Sequence, residues 1–419
     1  MDISKGVATC VMLESVPENL VNFARSKEFV YWHIKPCTED LEAIAQLQPE
    51  LIAFEPSGGK YEAAFKNFFR QRELPFRQVA GRRLATYRAE AQLTKDDHFD
   101  ALAIAAYALE KRQERDAFIP DTPPEIENLR QHWLQRHSLM KQRTGMINRL
   151  RQNLAAEFPE AMEFTAVWDW GQQGSSTLID WLTGDRADKH TQKWENRYSG
   201  GKRRVKGKTV EQPPSCGTGL SPYTKMIARQ LREAEAAIAE LEGAIAVIMA
   251  KPEYQPYIEA MDKIGFSISI KAIWLSRIYP FDKFLDEGRE RTSQRMSNKG
   301  KWRTHNHSLA QFKAALGAAI DIPRSGTSGG IAPTRRRSRG KIKTEDKKKP
   351  IGCKFCRVVF WQWAMVRIET KNACNEVAIV LQGKRDEWKA AGKNLFQRSG
   401  LLHGYAAKLL YRELKRQLM

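Results

Sequence analysis

The sequence predicts an α/β domain at the N-terminus, a helical middle built on two long amphipathic helices, and a mainly helical C-terminal region. Three observations predict it. Up to about residue 112, short apolar runs bounded by turn residues alternate with helical stretches. Between 123 and 250, apolar residues recur at sevens, or at alternating steps of four and three. From 251 to 419 they return at helical spacing. A chain of 419 residues can bury two or three separate cores.

The N-terminal elements follow in order. Val7 to Leu13 reads as a first strand and Glu28 to Ile34 as a second, the latter carrying Phe29, Val30, Tyr31 and Trp32. Leu51 to Phe54 is a third, followed at once by the turn Glu55-Pro56-Ser57-Gly58-Gly59 and the helical stretch Tyr61 to Arg72. Pro75 to Val79 is a fourth strand, and Leu93 to Leu109 is a helix rich in Ala and Leu. Alternation at these lengths argues for a mixed or parallel sheet covered by helices.

In the middle region, Trp133, Met140, Ile147 and Leu154 mark the first long helix. Ile227, Leu231, Ala234, Ile238, Leu241, Ile245 and Ile248 mark the second, which keeps its phase over three heptads. That is the pattern of a coiled coil, either a hairpin or an intermolecular one; the plainer reading is a helix packed on its own domain. Between them lies a basic insertion at 188–219 with Lys202, Arg203, Arg204, Lys206 and Lys208, flanked by Trp194 and Tyr198. A second basic run holds Arg335, Arg336, Arg337 and Arg339. Both are poor in core-forming residues. They are expected to be ordered only by a partner, contacting phosphates with Lys202, Arg203, Arg204 and the four arginines, and stacking bases on the aromatics. In the C-terminal region, Ile273 to Ile278, Leu309 to Ile320, Arg357 to Leu381 and Leu401 to Leu418 read as helices. A segment of small hydroxylated residues and glycines, with a serine loop at 323–330, interrupts them.

Charge narrows the function. Lys and Arg number 69 against 49 acidic residues, a formal +20. A chain that basic repels itself unless a polyanion neutralises it, which points to nucleic acid or an acidic membrane. No apolar run approaches the roughly 18–20 residues that cross a bilayer. The opening Met-Asp-Ile-Ser-Lys lacks the blocks of a signal peptide. Six cysteines at irregular spacing argue for free thiols in a reducing cytoplasm. A secreted or membrane-spanning protein is thereby disfavoured. Neither GxxxxGK[ST] nor GxGxxG occurs, so an ATPase or dinucleotide enzyme has no support. Cys353-Lys354-Phe355-Cys356 is one CxxC with no second pair at zinc spacing.

Two constellations could carry chemistry. Asp2 precedes the first visible strand, Glu55 ends the third, and Asp97 and Asp100 open a helix. Three positions apart, the last two project from one helix face with Cβ atoms ~5–6 Å apart. Carboxylates converging from separate elements suit hard cations such as Mg²⁺. Two such ions ~3.5–4 Å apart stabilise both the attacking and the leaving oxygen of a phosphoryl transfer. Taken singly, acidic residues near a helix start also serve the helix dipole. The second constellation is Ser325, followed by Gly326, Thr327, Ser328 and two glycines. Glycine neighbours let a hydroxyl approach a phosphate closely, although a serine needs a base or a metal to become nucleophilic. The same composition also describes a flexible linker, and Ser328 could replace Ser325.

These blocks are similar to those of a known family. Asp2-Ile3-Ser4-Lys5, Phe54-Glu55-Pro56-Ser57-Gly58-Gly59 and Lys95-Asp96-Asp97-His98-Phe99-Asp100-Ala101 resemble, in order and spacing, the DEDD transposases of bacterial insertion sequences. The group is the one numbered one hundred and ten, related to the Piv-type DNA invertases. The resemblance implies a RuvC-like, RNase H-like domain over 1–112, a coiled-coil region over 123–250 and a C-terminal transposase domain over 251–419. It implies Mg²⁺ held by Asp2, Glu55, Asp97 and Asp100, and Ser325 as the nucleophile that forms a phosphoserine link to DNA. It also implies homodimers pairing into tetramers, a bridge RNA as guide, and a cytoplasmic bacterial protein. Two departures carry expectations of their own. Asp2 stands at the second position, so its strand is expected to start upstream or to be missing. Ile264-Gly265-Phe266-Ser267 occupies the place of a Pro-Gly-x-Gly hairpin, so that DNA-contacting element is expected to be altered. The alternatives to a recombinase are an inactive nucleic-acid-binding relative and a RuvC-like nuclease that uses water.

Overall fold

The computed structural model describes the chain apart from residues 58–60, 115–116, 164–175, 185–188, 206–207, 297–299, 319, 322–329, 332–351 and 371–374, with some neighbouring residues described by backbone alone. It divides into two compact units, Met1–Thr122 and Pro123–Met419.

The first unit opens on a hairpin. Strands β1 (Asp2–Ser4) and β2 (Val7–Cys10) pair antiparallel across Lys5 and Gly6, which both take positive φ, 51° and 87°. A two-residue turn with that geometry matches the natural twist of the strands, and glycine adopts it without strain. Helix α1 (Leu20–Arg25) follows, then β3 (Trp32–Ile34), paired antiparallel with β2. Beyond helix α2 (Thr38–Gln46), strand β4 (Ile52–Phe54) pairs parallel with β5 (Phe76–Gln78) across helix α3 (Ala63–Gln71). Helices α4 (Gly81–Glu90) and α5 (Asp97–Glu110) close the unit. The Met1 amine donates to the Ala53 carbonyl at 2.7 Å and so joins β1 to β4. The unit therefore holds a three-stranded antiparallel sheet, β1-β2-β3, and a two-stranded parallel one, β4-β5.

Alternation along these strands builds two cores, one on each of their faces. Ile3, Ala8, Ile34, Ile52 and Phe54 point to one face and pack with Leu41 and Ile44 of α2 and Phe65 and Phe69 of α3. Ala53 points to the other and meets Leu84 of α4 and Leu102, Ala103 and Ala106 of α5. Each fully buried Phe contributes roughly 1.5–3 kcal/mol.

Several expectations change here. Asp2 lies within a strand rather than ahead of the first one. Val30 and Tyr31 are exposed, and the strand expected from Glu28 begins only at Trp32. The helix expected from Leu93 begins at Asp97. Helix α4 leaves almost no apolar stripe in the sequence, because Leu84 is its one buried residue.

In the second unit, helices α6 (Pro124–Glu157) and α9 (Pro222–Met249) lie side by side. Arg136 pairs with Glu242, Arg143 with Glu235, and Asn153 with Thr224 (2.9 Å), so partner numbers fall as the helix advances. The two helices are antiparallel. At one end Leu150, Leu154, Ile227, Ala228 and Leu231 form a core with helices α7 (Thr177–Thr183) and α8 (Lys189–Ser199). The basic insertion is thus built, with α8 followed by a hairpin of β6 (Gly201–Val205) and β7 (Lys208–Gln212). Trp194 corrects another expectation. It is 2% exposed, with its indole N–H on Thr177 Oγ1 at 3.0 Å, so it is a core residue and not a base-stacking surface.

At the other end of the pair, Ile126, Leu129, Trp133, Ile245 and Met249 join the core of the C-terminal region. There helices α10 (Gln255–Asp262) and α11 (Ile268–Ile278) flank Gly265, whose φ of 80° turns the chain between them and whose carbonyl accepts the Trp363 indole N–H at 2.9 Å. A ribbon of β8 (Thr292–Met296) and β9 (Trp302–Asn306) comes next, then helix α12 (His307–Ala315). The helix expected to reach Ile320 ends at Ala315, and Ile320 instead belongs to β10 (Ile320–Asp321), which pairs with β11 (Gly330–Ile331). The stretch read as one helix from Arg357 to Leu381 is two, α13 (Lys354–Ala364) and α14 (Glu376–Ala390), parted by a π turn at Met365–Glu369. Helix α15 (Leu395–Leu418) ends the chain. Among the described residues no helix is long and apolar enough to cross a membrane.

Candidate active site

Four acidic residues come from three places in the first unit. Register sets the first. Asp2 pairs with Thr9, and Thr9 with His33, so these three side chains share one face of the sheet. Helix α5 packs on β1, β2 and β4. Thr9 and His33 are joined by a hydrogen bond of 3.2 Å between the hydroxyl and Nδ1.

Glu55 follows the last residue of β4. Two residues on, Ser57 is held by the Glu62 carboxylate, which accepts its N–H at 3.1 Å and its hydroxyl. The Glu55 carboxylate lies against Gly81 at the start of α4, where an added Cβ would collide with Oε1. A carboxylate beside a helix N-terminus also gains from the helix dipole.

Helix α5 carries the other two. Asp96 is its N-cap and accepts the His98 N–H at 3.0 Å, which assigns Asp96 a structural task. Asp97 is the first helical residue and is exposed, while Asp100, one turn on, is 8% exposed and ion-paired with Arg88 of α4. His98 stacks on Tyr31 with ring centroids 3.8 Å apart.

The four carboxylates share one field. Burial raises the pKa of Asp2, and the charges of Asp97 and Asp100 raise it further. Burial likewise raises Glu55, followed by the charges of Asp2 and Asp100, against the opposing pull of Arg88 and Lys95. An all-oxygen donor set under mutual repulsion has the chemistry that binds a hard divalent cation. Its spacing is looser than that of a formed cage: among the described residues no three His, Cys, Asp or Glu side chains stand close enough to hold a metal. The Arg88 guanidinium supplies the positive charge at Asp100.

Residues 1–159 match the family model of the DEDD transposases of the IS110 type. Over this stretch the chain is similar to the IS110-type DEDD transposases. The match runs past the first unit into α6. No curated protein matches the chain. The net charge of +20 suits a polyanionic partner such as nucleic acid.

The other expected site residues stand as follows. Ser325, Ser328, Arg335, Arg336, Arg337 and Arg339 lie outside the described residues. The segment holding both serines is bracketed by β10 and β11, with Asp321 opposite Gly330, and β11 lies against α15. Lys202 is exposed on β6 opposite Glu211, and Arg203 and Arg204 follow it on the same strand. Sequence reading missed Arg88 and Gly81. Arg88 gives no signal, since nothing in a lone arginine tells which carboxylate it meets. Gly81 at the head of an arginine-rich helix was the available clue.

Proposed function

We propose that this chain is a DNA recombinase that exchanges strands through a covalent phosphoserine link at Ser325, with Mg²⁺ held by Asp2, Glu55, Asp97 and Asp100. The observation that carries the proposal is the field shared by the four carboxylates, whose elements meet where α5 packs on β1 and β4. An antiparallel sheet of β1–β3 and a parallel pair of β4 and β5, both packed by α5, support the RuvC-like, RNase H-like reading. The antiparallel pair of α6 and α9 supports a coiled-coil region folded back within one chain.

Attack by the Ser325 oxygen on a DNA phosphorus forms a serine phosphoester as the bond to one deoxyribose oxygen breaks; the serine proton passes to solvent and the leaving oxygen takes one up as a hydroxyl. Attack by a hydroxyl from another strand reverses this, so one phosphoester replaces another and no ATP is consumed. Bound Mg²⁺ would lower the hydroxyl's pKa and neutralise phosphate charge. Around it Asp96 fixes the start of α5, Gly81 leaves room for the Glu55 carboxylate, and Arg88 holds Asp100. In the same proposal the protein works as a homodimer assembling into a tetramer. A bridge RNA directs it to donor and target DNA, with the segments at 202–204 and 335–339 as phosphate contacts.

The test is a strand-exchange assay with Mg²⁺. Ser325→Ala should abolish the protein–DNA adduct and recombination, and Asp97→Ala should do the same. Recombination by Ser325→Ala would remove serine from the mechanism, and cleavage alone surviving in that variant would leave a nuclease that uses water. The Arg88–Asp100 pair and the open spacing of the carboxylates favour one second reading, a nucleic-acid-binding relative without chemistry. Adduct formation by the parent chain excludes it.

A further inference from the structure

The β8–β9 ribbon belongs to no core. Its base is fastened to the second unit: the Arg291 N–H donates to Ser308 Oγ at 2.9 Å, and the His307 N–H to the Arg291 carbonyl at 2.8 Å. The Asn306 amide donates to Glu290 at 2.8 Å, and Glu290 also pairs with Lys415 of α15 at 2.8 Å. His307 of α12 touches one face, with Nε2 2.7 Å from Ser293 Oγ and its ring against His305; toward the tip neither face is covered.

Register sorts its side chains. Ser293 faces His305 and Arg295 faces Arg303 on one side; Gln294 faces Thr304 and Met296 faces Trp302 on the other. Arg295 and Arg303 are exposed, and among the described residues neither has an acidic partner. At the tip Met296 and Trp302 are 59% and 65% exposed. Each feature costs stability. Like charges directly opposite repel, a two-stranded ribbon without a packed face is marginal in water, and an indole in solvent forgoes its burial. A polyanion with a cleft of ribbon width turns all three to advantage.

We infer that the β8–β9 ribbon is a duplex-DNA contact, entering the major groove with Arg295 and Arg303 on the phosphates at its edges and the Met296–Trp302 pair at the groove floor. The B-form major groove is about 12 Å wide and 8.5 Å deep and admits a two-stranded ribbon. Five residues at ~3.4 Å each reach roughly 17 Å, enough to span its depth. The A-form groove of duplex RNA is too deep and narrow for side chains to read. The inference rests on the proposed action on DNA and is independent of Ser325 and of the carboxylates.

The test uses the full chain with Arg295→Thr and Arg303→Thr together, since threonine keeps strand propensity while removing both charges. Binding to a duplex oligonucleotide is followed by fluorescence anisotropy over a range of salt, without Mg²⁺ so that no chemistry intervenes. Two lost phosphate contacts should make the slope of log K against log salt shallower by about 1.8. Affinity near physiological salt should fall on the order of tenfold. The pair Arg295→Lys and Arg303→Lys should retain the slope, and Lys384→Ala, at a surface pair with Glu387, should leave binding unchanged. An unchanged slope and affinity in the threonine pair would overturn the inference. So would a loss confined to duplex RNA, or an equal loss in Lys384→Ala. Failure of the phosphoserine mechanism is read separately in the adduct assay and leaves this one untouched.

Discussion

Two antiparallel hairpins in this chain are put to opposite uses. In β1–β2, Ile3 and Ala8 are buried at 5% and 0% while Asp2 and Thr9 line the other face of the same strands. The buried face pays for the hairpin, and the register then delivers a carboxylate to a fixed place under α5. In β8–β9 no side chain beyond the base is buried, and the paired arginines work against the fold. A hairpin that is half core can position chemistry by itself; a hairpin without a core awaits something outside the chain.

Arg88→Ala should have the largest effect on the first half of that comparison. It strips the guanidinium from a carboxylate that is 8% exposed, at a cost on the order of 1.5–3 kcal/mol. Thermal unfolding should show a lower midpoint. If the carboxylates take a divalent cation, added Mg²⁺ should raise the midpoint more in Arg88→Ala than in the parent. An unchanged midpoint would mean that the ion pair does not hold Asp100.

How much of the site was legible follows from the same physics. Glu55 and the Asp97–Asp100 spacing were readable, because a strand end and a three-residue step on a helix are local features. Asp2 was readable as a candidate, while its place in a strand required the Lys5-Gly6 turn to be recognised. Helix α4 was not readable as an element, since it buries Leu84 and little else, and with it went Arg88 and Gly81. Trp194 was misread because an aromatic beside a basic run looks the same whether it stacks bases or fills a core. The β8–β9 ribbon gave no period to detect, since strand patterns are read from a buried face and it has none.

Removing a carboxylate should have a smaller effect, opposite in sign. Asp2 has a folded pKa above its ordinary 3.8, with burial the main cause and the charges of Asp97 and Asp100 next. The folded state therefore binds the proton more tightly than the unfolded state does. Stability contributed by this group is present below about pH 3.8 and is lost as pH rises through the higher folded value. Asp2→Asn should thus melt higher than the parent at neutral pH without divalent cations, and the difference should vanish in acid. Saturating Mg²⁺ should reverse the ranking, because only the parent then gains a ligand. A neutral-pH midpoint below that of the parent would show that the aspartate is held by favourable contacts instead of strained by its neighbours.

The smallest stability change sharpens the other half. Arg303→Glu converts the pair with Arg295 from like to opposite charges across the ribbon, worth roughly 0.2–1 kcal/mol in favour of the fold. The same substitution places a negative charge where a DNA phosphate is proposed to sit. Stability and duplex binding should therefore move in opposite directions: protection of the ribbon amides from hydrogen exchange rises while affinity for DNA falls. A core-forming hairpin cannot show this split, because there the contacts that hold the strands together are also the contacts that place the side chains. A variant in which protection and affinity fall together would place the ribbon in that first class, with Arg303 serving the fold.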